Sequence, residues 1–173
     1  VSAHVALLRG VNLLGASTLK MDDLKAFAAE LGLGSPRTLI ASGNLLFTSA
    51  IPQEELKRKL EQRLQQHMGR EVRVILRTAE EMENVVRSNP FTELAGNRVQ
   101  AFFMTEPPPA DLLGTVRNQA EDERIALGSR EVFVAYGERG IGKSRLRIPA
   151  AEAGTARNMN TVAKLAELSR EMS

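Results

Sequence analysis

Apolar residues along this chain change their spacing several times, and each change marks an element. Residues 4–9 hold the apolar run Val5-Ala6-Leu7-Leu8 of a buried strand, and Gly10, Asn12 and Gly15 follow as loop residues. Met21, Leu24, Phe27, Ala28 and Leu31 then recur at helical spacing, with Gly32 where a left-handed C-terminal cap belongs. Two β-rich runs, residues 38–41 and 45–48, flank Ser42-Gly43-Asn44, which predicts a hairpin. Pro52 suits a first helical turn, Leu56, Leu60 and Leu64 lie four apart, and Gly69 ends that helix before a closing strand at residues 72–76. The order β-α-β-β-α-β is that of a ferredoxin-like split unit, an antiparallel sheet carrying both helices on one face.

The alternation continues beyond Arg77. Thr78 and Glu81 form a capping box, in which each side chain takes a free backbone N–H of the other, and open a helix carrying Met82, Val85 and Val86. Asn89-Pro90-Phe91 stops it. Residues 98–104 read as a strand, Pro107-Pro108-Pro109 as a stiff turn, and Leu112, Leu113 and Val116 as another helix. Residues 124–127 and 131–136, joined through Gly128-Ser129, form a second hairpin. Periodicity then lapses over residues 137–154, and Val162, Leu165, Ala166 and Ser169 give the face of a last helix starting near Asn158. The expected fold is α+β, with two ferredoxin-like-type subdomains and antiparallel or mixed sheets. Residues 1–77 form the ferredoxin-like N-terminal part, and residues 78–173 an α+β part packed against it, since no long Gly/Ser linker separates them.

Composition narrows the chemistry. A chain of 173 residues with 43% apolar and 25% charged residues buries a core without a staple. Absence of cysteine removes disulfides, thiolate metal sites and cysteine nucleophiles, and two histidines, His4 and His67, are too few for an ordinary zinc or iron site. No metal and no cofactor are therefore expected. There is no run of 18 apolar residues and no secretory leader pattern, which predicts a cytoplasmic protein without membrane association. Val1 in place of an initiator Met predicts a trimmed start or an artificial boundary. The net charge of +2 says little about partners.

One stretch satisfies a phosphate-binding expression: residues 137–144, Gly-Glu-Arg-Gly-Ile-Gly-Lys-Ser, match G-x-x-x-x-G-K-[ST] after a strand. A P-loop must open directly into a helix, yet Pro149 follows closely and no aspartate occurs downstream to hold magnesium, so nucleoside-triphosphatase chemistry is not expected. The loop still sets Arg139, Lys143, Arg145 and Arg147 against Glu138 alone, with Ser144 among them. A solvated charge run and a phosphate-bearing partner both account for that pattern. Residues 155–161 gather Thr155, Arg157, Asn158, Asn160 and Thr161 at the start of the last helix, as a helix cap, as an anion site, or as both. Arg9 and Asn12 leave the first strand, and Ser42 and Asn44 stand in the hairpin turn. No hydrolase elbow, zinc-protease helix or paired-acid arrangement occurs. Stacking of RNA bases on the first sheet would have only Phe47 among Leu7, Leu8, Leu45 and Leu46.

These same clusters carry a family resemblance. Residues 6–12 (Ala-Leu-Leu-Arg-Gly-Val-Asn), Ser42-Gly43-Asn44 before a strand with Phe47, Asn89-Pro90-Phe91, and residues 155–161 (Thr-Ala-Arg-Asn-Met-Asn-Thr) together resemble the bacterial family catalogued as domain of unknown function 1697. The resemblance implies a two-part α+β fold with ferredoxin-like character and no particular activity. Aromatic residues usual in the family at the positions of Leu39 and Met159 are replaced here.

Three functions remain open on the sequence. The first is binding, with or without turnover, of an anionic, phosphorylated small molecule at a polar site between the halves, lined by Arg9, Asn12, Ser42, Asn44, Arg157, Asn158 and Asn160. The second is a nucleic-acid-binding module using the basic loop of residues 139–147, with Arg139, Lys143, Ser144 and Arg145. The third is a structural protein whose loop polars tie the fold together without a ligand.

Overall fold

The computed structural model describes residues 1–10, 19–39 and 43–173. Among them the chain is an α+β mix of four α-helices and two four-stranded antiparallel sheets. It divides into two compact units, Val1–Met82 together with Leu165–Ser173, and Glu83–Lys164. The division thus falls after Met82 instead of near Arg77. The last residues join the first unit, where the sequence reading placed 78–173 in one C-terminal part.

The first unit runs β1 (Ser2–Leu8), α1 (Met21–Glu30), β2 (Gly34–Thr38), β3 (Asn44–Ser49), α2 (Gln53–Met68) and β4 (Val74–Thr78), with strand order β2-β3-β1-β4. That order fits a ferredoxin-like arrangement. Ala6, Leu8, Leu45, Phe47, Val74 and Leu76 face the apolar stripes of the helices, including Leu24, Phe27, Leu56, Leu60 and Leu64. Each fully buried leucine of α2 contributes ~1.5–3 kcal/mol relative to exposure. The opposite face, with Val5, Leu7, Leu46 and Ile75, is buried too and carries Arg77 at 2% exposure. Leu7, Leu8, Leu45, Leu46 and Phe47 are therefore all interior, and none is a platform for base stacking.

β2 lies earlier than expected, at Gly34–Thr38 instead of residues 38–41. Gly34, Ser35 and Pro36 are poor strand formers, but an edge strand tolerates proline and a bulge, and the register shifts between Gly34 and Arg37. A side chain at residue 34 would overlap the Thr48 hydroxyl, so glycine lets the two strands approach. Asn44 begins β3 and pairs with Leu7. Ser42, expected in the same turn, lies outside the described residues, as does Asn12.

The second unit contains β5 (Val99–Phe103), β6 (Arg124–Leu127), β7 (Glu131–Ala135) and β8 (Thr155–Asn158), in the order β6-β7-β5-β8. Numbered within its own unit, each sheet has the order 2-3-1-4. Helix α3 (Ala79–Ser88) follows β4, and α4 (Met159–Met172) follows β8. Both helices are capped as their sequences dictate. Thr78 N donates to Glu81 Oε1 at 2.8 Å while Glu81 N donates to Thr78 Oγ1 at 3.1 Å, which completes the capping box. Asn158 Oδ1 accepts Thr161 N–H at 3.0 Å, the N-cap geometry.

The expected helix at Leu112, Leu113 and Val116 is a single 3-10 turn, Leu112–Thr115. Gly114 lacks the propensity to extend it, and the Thr115 hydroxyl donates back to Leu112 O, closing the turn. Residues 155–158, expected as the approach to the last helix, instead form an edge strand paired to β5.

Candidate functional site

In the first unit, helices α1 and α2 span the crossovers from β1 to β2 and from β3 to β4. In the second, the matching segments, residues 104–123 and 136–154, are irregular, with 3-10 turns at Leu112–Thr115, Ile141–Lys143 and Pro149–Ala151. Prolines and glycines keep both segments from becoming helices. They nevertheless cover the sheet: Leu112, Ile148 and Ala151, with Val116, Ile141 and Leu146, pack on Val132, Val134, Tyr136 and Phe102.

Irregular segments must satisfy their own backbone, and here they do so against each other. Arg117 and Arg147 exchange two backbone hydrogen bonds, both 2.9 Å, as an isolated antiparallel bridge. Glu123 makes the second tie. Its carboxylate, on a residue only 6% exposed, accepts Ala120 N–H at 2.8 Å and the Ser144 hydroxyl at 2.5 Å. Ser144 Oγ in turn accepts Leu146 N–H at 3.1 Å. The adjacent phenol of Tyr136 donates to Gln100 Oε1 at 2.7 Å. Burial first, and the Glu123 charge second, push its pKa up to about 12.

Between these ties lies a concave pocket of about 140 Å³ lined by Asn118, Asp122 and Glu123 from one segment and by Gly137, Arg139, Lys143, Ser144 and Arg145 from the other. It has room for roughly five waters. The pocket is bounded by two unusual backbone positions, Asn118 at φ 58° and Gly140 at φ 78°. Arg139, Lys143 and Arg145 are exposed, and among the described residues none forms an ion pair or side-chain hydrogen bond. Ser144 returns to extended backbone (φ −72°, ψ 140°) after the short turn, so no helix follows and the P-loop expression of residues 137–144 is not realised as a P-loop.

The remaining candidates fall elsewhere. Arg9 is exposed at the end of β1, its backbone N–H bonded to Arg73 O, and Asn44 is fully buried with its amide donating to Leu39 O at 3.1 Å. Both belong to the first unit, whereas Arg157, Asn158 and Asn160 belong to the second. Arg157 is 9% exposed and donates to Thr155 Oγ1 at 2.7 Å and Ala156 O at 2.9 Å, and burial lowers its pKa to about 10. Its charge is retained at neutral pH. Arg157 pairs with Ala101, whose partner across β7 is Phe133, while the pocket segments cover the face of Phe102, Val132 and Val134. Side chains alternate along a strand, so Arg157 and the pocket lie on opposite faces of this sheet. Asn158 is occupied as the cap of α4, and Asn160 packs its amide against Gly96, where a side chain would overlap it.

Sequence reasoning did not single out Asn118, Asp122 or Glu123. The available signal was charge complementarity: Glu121-Asp122-Glu123 is an acidic run outside any helix, in a chain whose other unexplained loop is basic. Among the described residues no group of histidine and carboxylate side chains has the arrangement of a metal site, and no helix is long and apolar enough to cross a membrane.

Comparison with solved structures places this fold beside the conserved bacterial protein SP0830 from Streptococcus pneumoniae, at 24% sequence identity and a TM-score of 0.77, over 97% of this chain and 98% of the other. The curated proteins contain no match. A family model does match, over residues 1–133, and on that ground the chain belongs to the family described as Protein of unknown function (DUF1697).

Proposed function

We propose that the second unit binds a small phosphorylated molecule in the pocket between residues 118–123 and 137–145. One observation carries this reading: three cations, Arg139, Lys143 and Arg145, line a concave site without any carboxylate paired to them. Cations that stabilise a fold are paired or snorkel along apolar surface, whereas these line a cavity whose buried carboxylate, Glu123, already accepts a protein donor on each oxygen. Concavity favours a small ligand over a nucleic-acid backbone, which is followed along an extended basic groove lined by stacking aromatics. Only the phosphate and a few attached atoms fit about 140 Å³.

Thermal shift and calorimetry with inorganic phosphate and small phosphate esters test the reading. A stabilising shift is expected for the parent chain and for Arg58→Ala, an exposed arginine of the first unit, with at least a tenfold loss of affinity in Arg139→Ala and in Lys143→Ala. A shift lost in Arg157→Ala but kept in both loop variants would move the site to β8 and refute this reading. Binding of a short RNA with a steep salt dependence, and none of phosphate esters, would replace it with the nucleic-acid alternative.

A further inference from the structure

Asp122 and Glu123 are the two pocket residues whose chemistry opposes a simple anion, and of the two only Asp122 is exposed. Asp122 lines the same cavity as Arg139, Lys143 and Arg145, and among the described residues it has no hydrogen-bond or ion-pair partner. The backbone leaves room for it. Gly137 is buried, and any side chain there would occupy the space of the Asp122 carboxylate, so glycine at 137 is what lets that carboxylate rest against the backbone. Glu123 beside it has no comparable freedom, since both of its oxygens already accept protein donors. The pocket therefore offers cationic donors and an uncommitted carboxylate in a space of about 140 Å³.

For inorganic phosphate that acceptor is a repulsive neighbour. For a ligand with a hydroxyl a few atoms from its phosphate, the same carboxylate accepts a charge-assisted hydrogen bond, and the repulsion is offset. An ammonium group would also donate, but it would enter a cavity already holding three unpaired cations, and like charges at such separations disfavour it. We infer that the pocket selects a small phosphorylated polyol, with the cations on the phosphate and Asp122 on a hydroxyl. This rests on the phosphate-binding reading above and specifies its ligand class.

The test is a comparison of inorganic phosphate, glycerol 3-phosphate and phosphoethanolamine by calorimetry on the parent chain, Asp122→Ala and Gly137→Ala. Glycerol 3-phosphate is expected to bind the parent about tenfold more tightly than inorganic phosphate, the effect of one hydrogen bond to a charged group. Asp122→Ala should abolish that preference while strengthening binding of inorganic phosphate. Gly137→Ala, which keeps the charge but displaces it, should also lose the preference. Equal affinities in the parent, a preference that survives in Asp122→Ala, or tighter binding of phosphoethanolamine would each overturn the inference while leaving phosphate binding intact. Failure of all three compounds to bind would instead remove the phosphate site itself.

Discussion

Glu123 ties together two segments that have no helix to order them, and its removal has a calculable cost. In Glu123→Ala the Ala120 N–H and the Ser144 hydroxyl lose their acceptor at 2.8 and 2.5 Å. Leaving a buried donor unsatisfied costs ~1–3 kcal/mol, and because Ala120 is exposed and Ser144 half-buried, water recovers part of that, for a total of about 2 kcal/mol. Glu123→Gln has the same shape and can keep both contacts, with the half-buried Ser144 hydroxyl turning its own proton to water. Its carbonyl accepts from Ala120, and its amide donates to Ser144 Oγ, which after taking Leu146 N–H at 3.1 Å still has a lone pair. Only charge assistance is lost, about 1 kcal/mol. Urea unfolding of both variants, with Ser144→Ala and the Glu123→Ala/Ser144→Ala double variant, should give alanine costing more than glutamine and a coupling of about 1–2 kcal/mol between the two sites. Glutamine costing as much as alanine, or additive single effects, would refute the idea that this pair clasps the segments.

Three further outcomes are expected. Tyr136 is the only tyrosine, so phenolate absorbance reports it directly, and its midpoint should lie near 12; a midpoint near 10 in folded protein would refute its burial beside Glu123. Because the folded phenol holds its proton more tightly than the unfolded one, this group's stabilisation is complete below pH 10 and is lost as pH rises toward 12. His4, 5% exposed and stacked on Phe47 at 5.5 Å, has its pKa lowered from 6.5 chiefly by burial, partly offset by its bond to the Ser49 backbone and by Glu81. The unfolded chain thus binds the extra proton, and stability should decline as pH falls below about 6.5, a slope that disappears in His4→Phe and that unfolding curves between pH 7 and 5 would measure. A methyl group added at Gly154 would overlap the Phe103 carbonyl where β8 meets β5, so Gly154→Ala should cost ~1–3 kcal/mol in urea unfolding, whereas Gly142→Ala, with open space around it, should be near neutral.

The sequence was most legible where local chemistry and packing agree. Leu56, Leu60 and Leu64 at four-residue spacing, with Gly69 at φ 71°, make a helix whose stripe, start and stop all coincide, and Thr78 with Glu81 closes its box as written. Tertiary context defeated the reading elsewhere. Gly34-Ser35-Pro36 is turn chemistry on its own and a strand only because β3 supplies partners. Thr155, Arg157 and Asn158 are polar, yet they form a strand because β5 needs a neighbour there. For the pocket, residues 137–145 were visible as a basic loop. Asp122 and Glu123 showed only as part of an acidic run, since the partner that makes Glu123 structural, Ser144, lies 21 positions away.

The two sheets share the strand order 2-3-1-4 and differ in what covers one face. A helix satisfies its own backbone and turns only side chains outward, so α1 and α2 give the first sheet an apolar roof with few free polar groups. Residues 104–123 and 136–154 cannot do this, with three consecutive prolines and Gly114 in one and Gly137, Gly140, Gly142, Pro149 and Gly154 in the other. Their apolar residues still cover the sheet, but their backbone is satisfied by turns and by each other, through the Arg117–Arg147 bridge and the Glu123–Ser144 bond. The space between two such segments is concave and polar by construction, whereas two packed helices would fill it. Without helices over these two segments, the second sheet has beside its apolar cover a pocket wall on which, among the described residues, three cations stand without an ion-pair partner, and loops of this kind are where binding residues are most often carried.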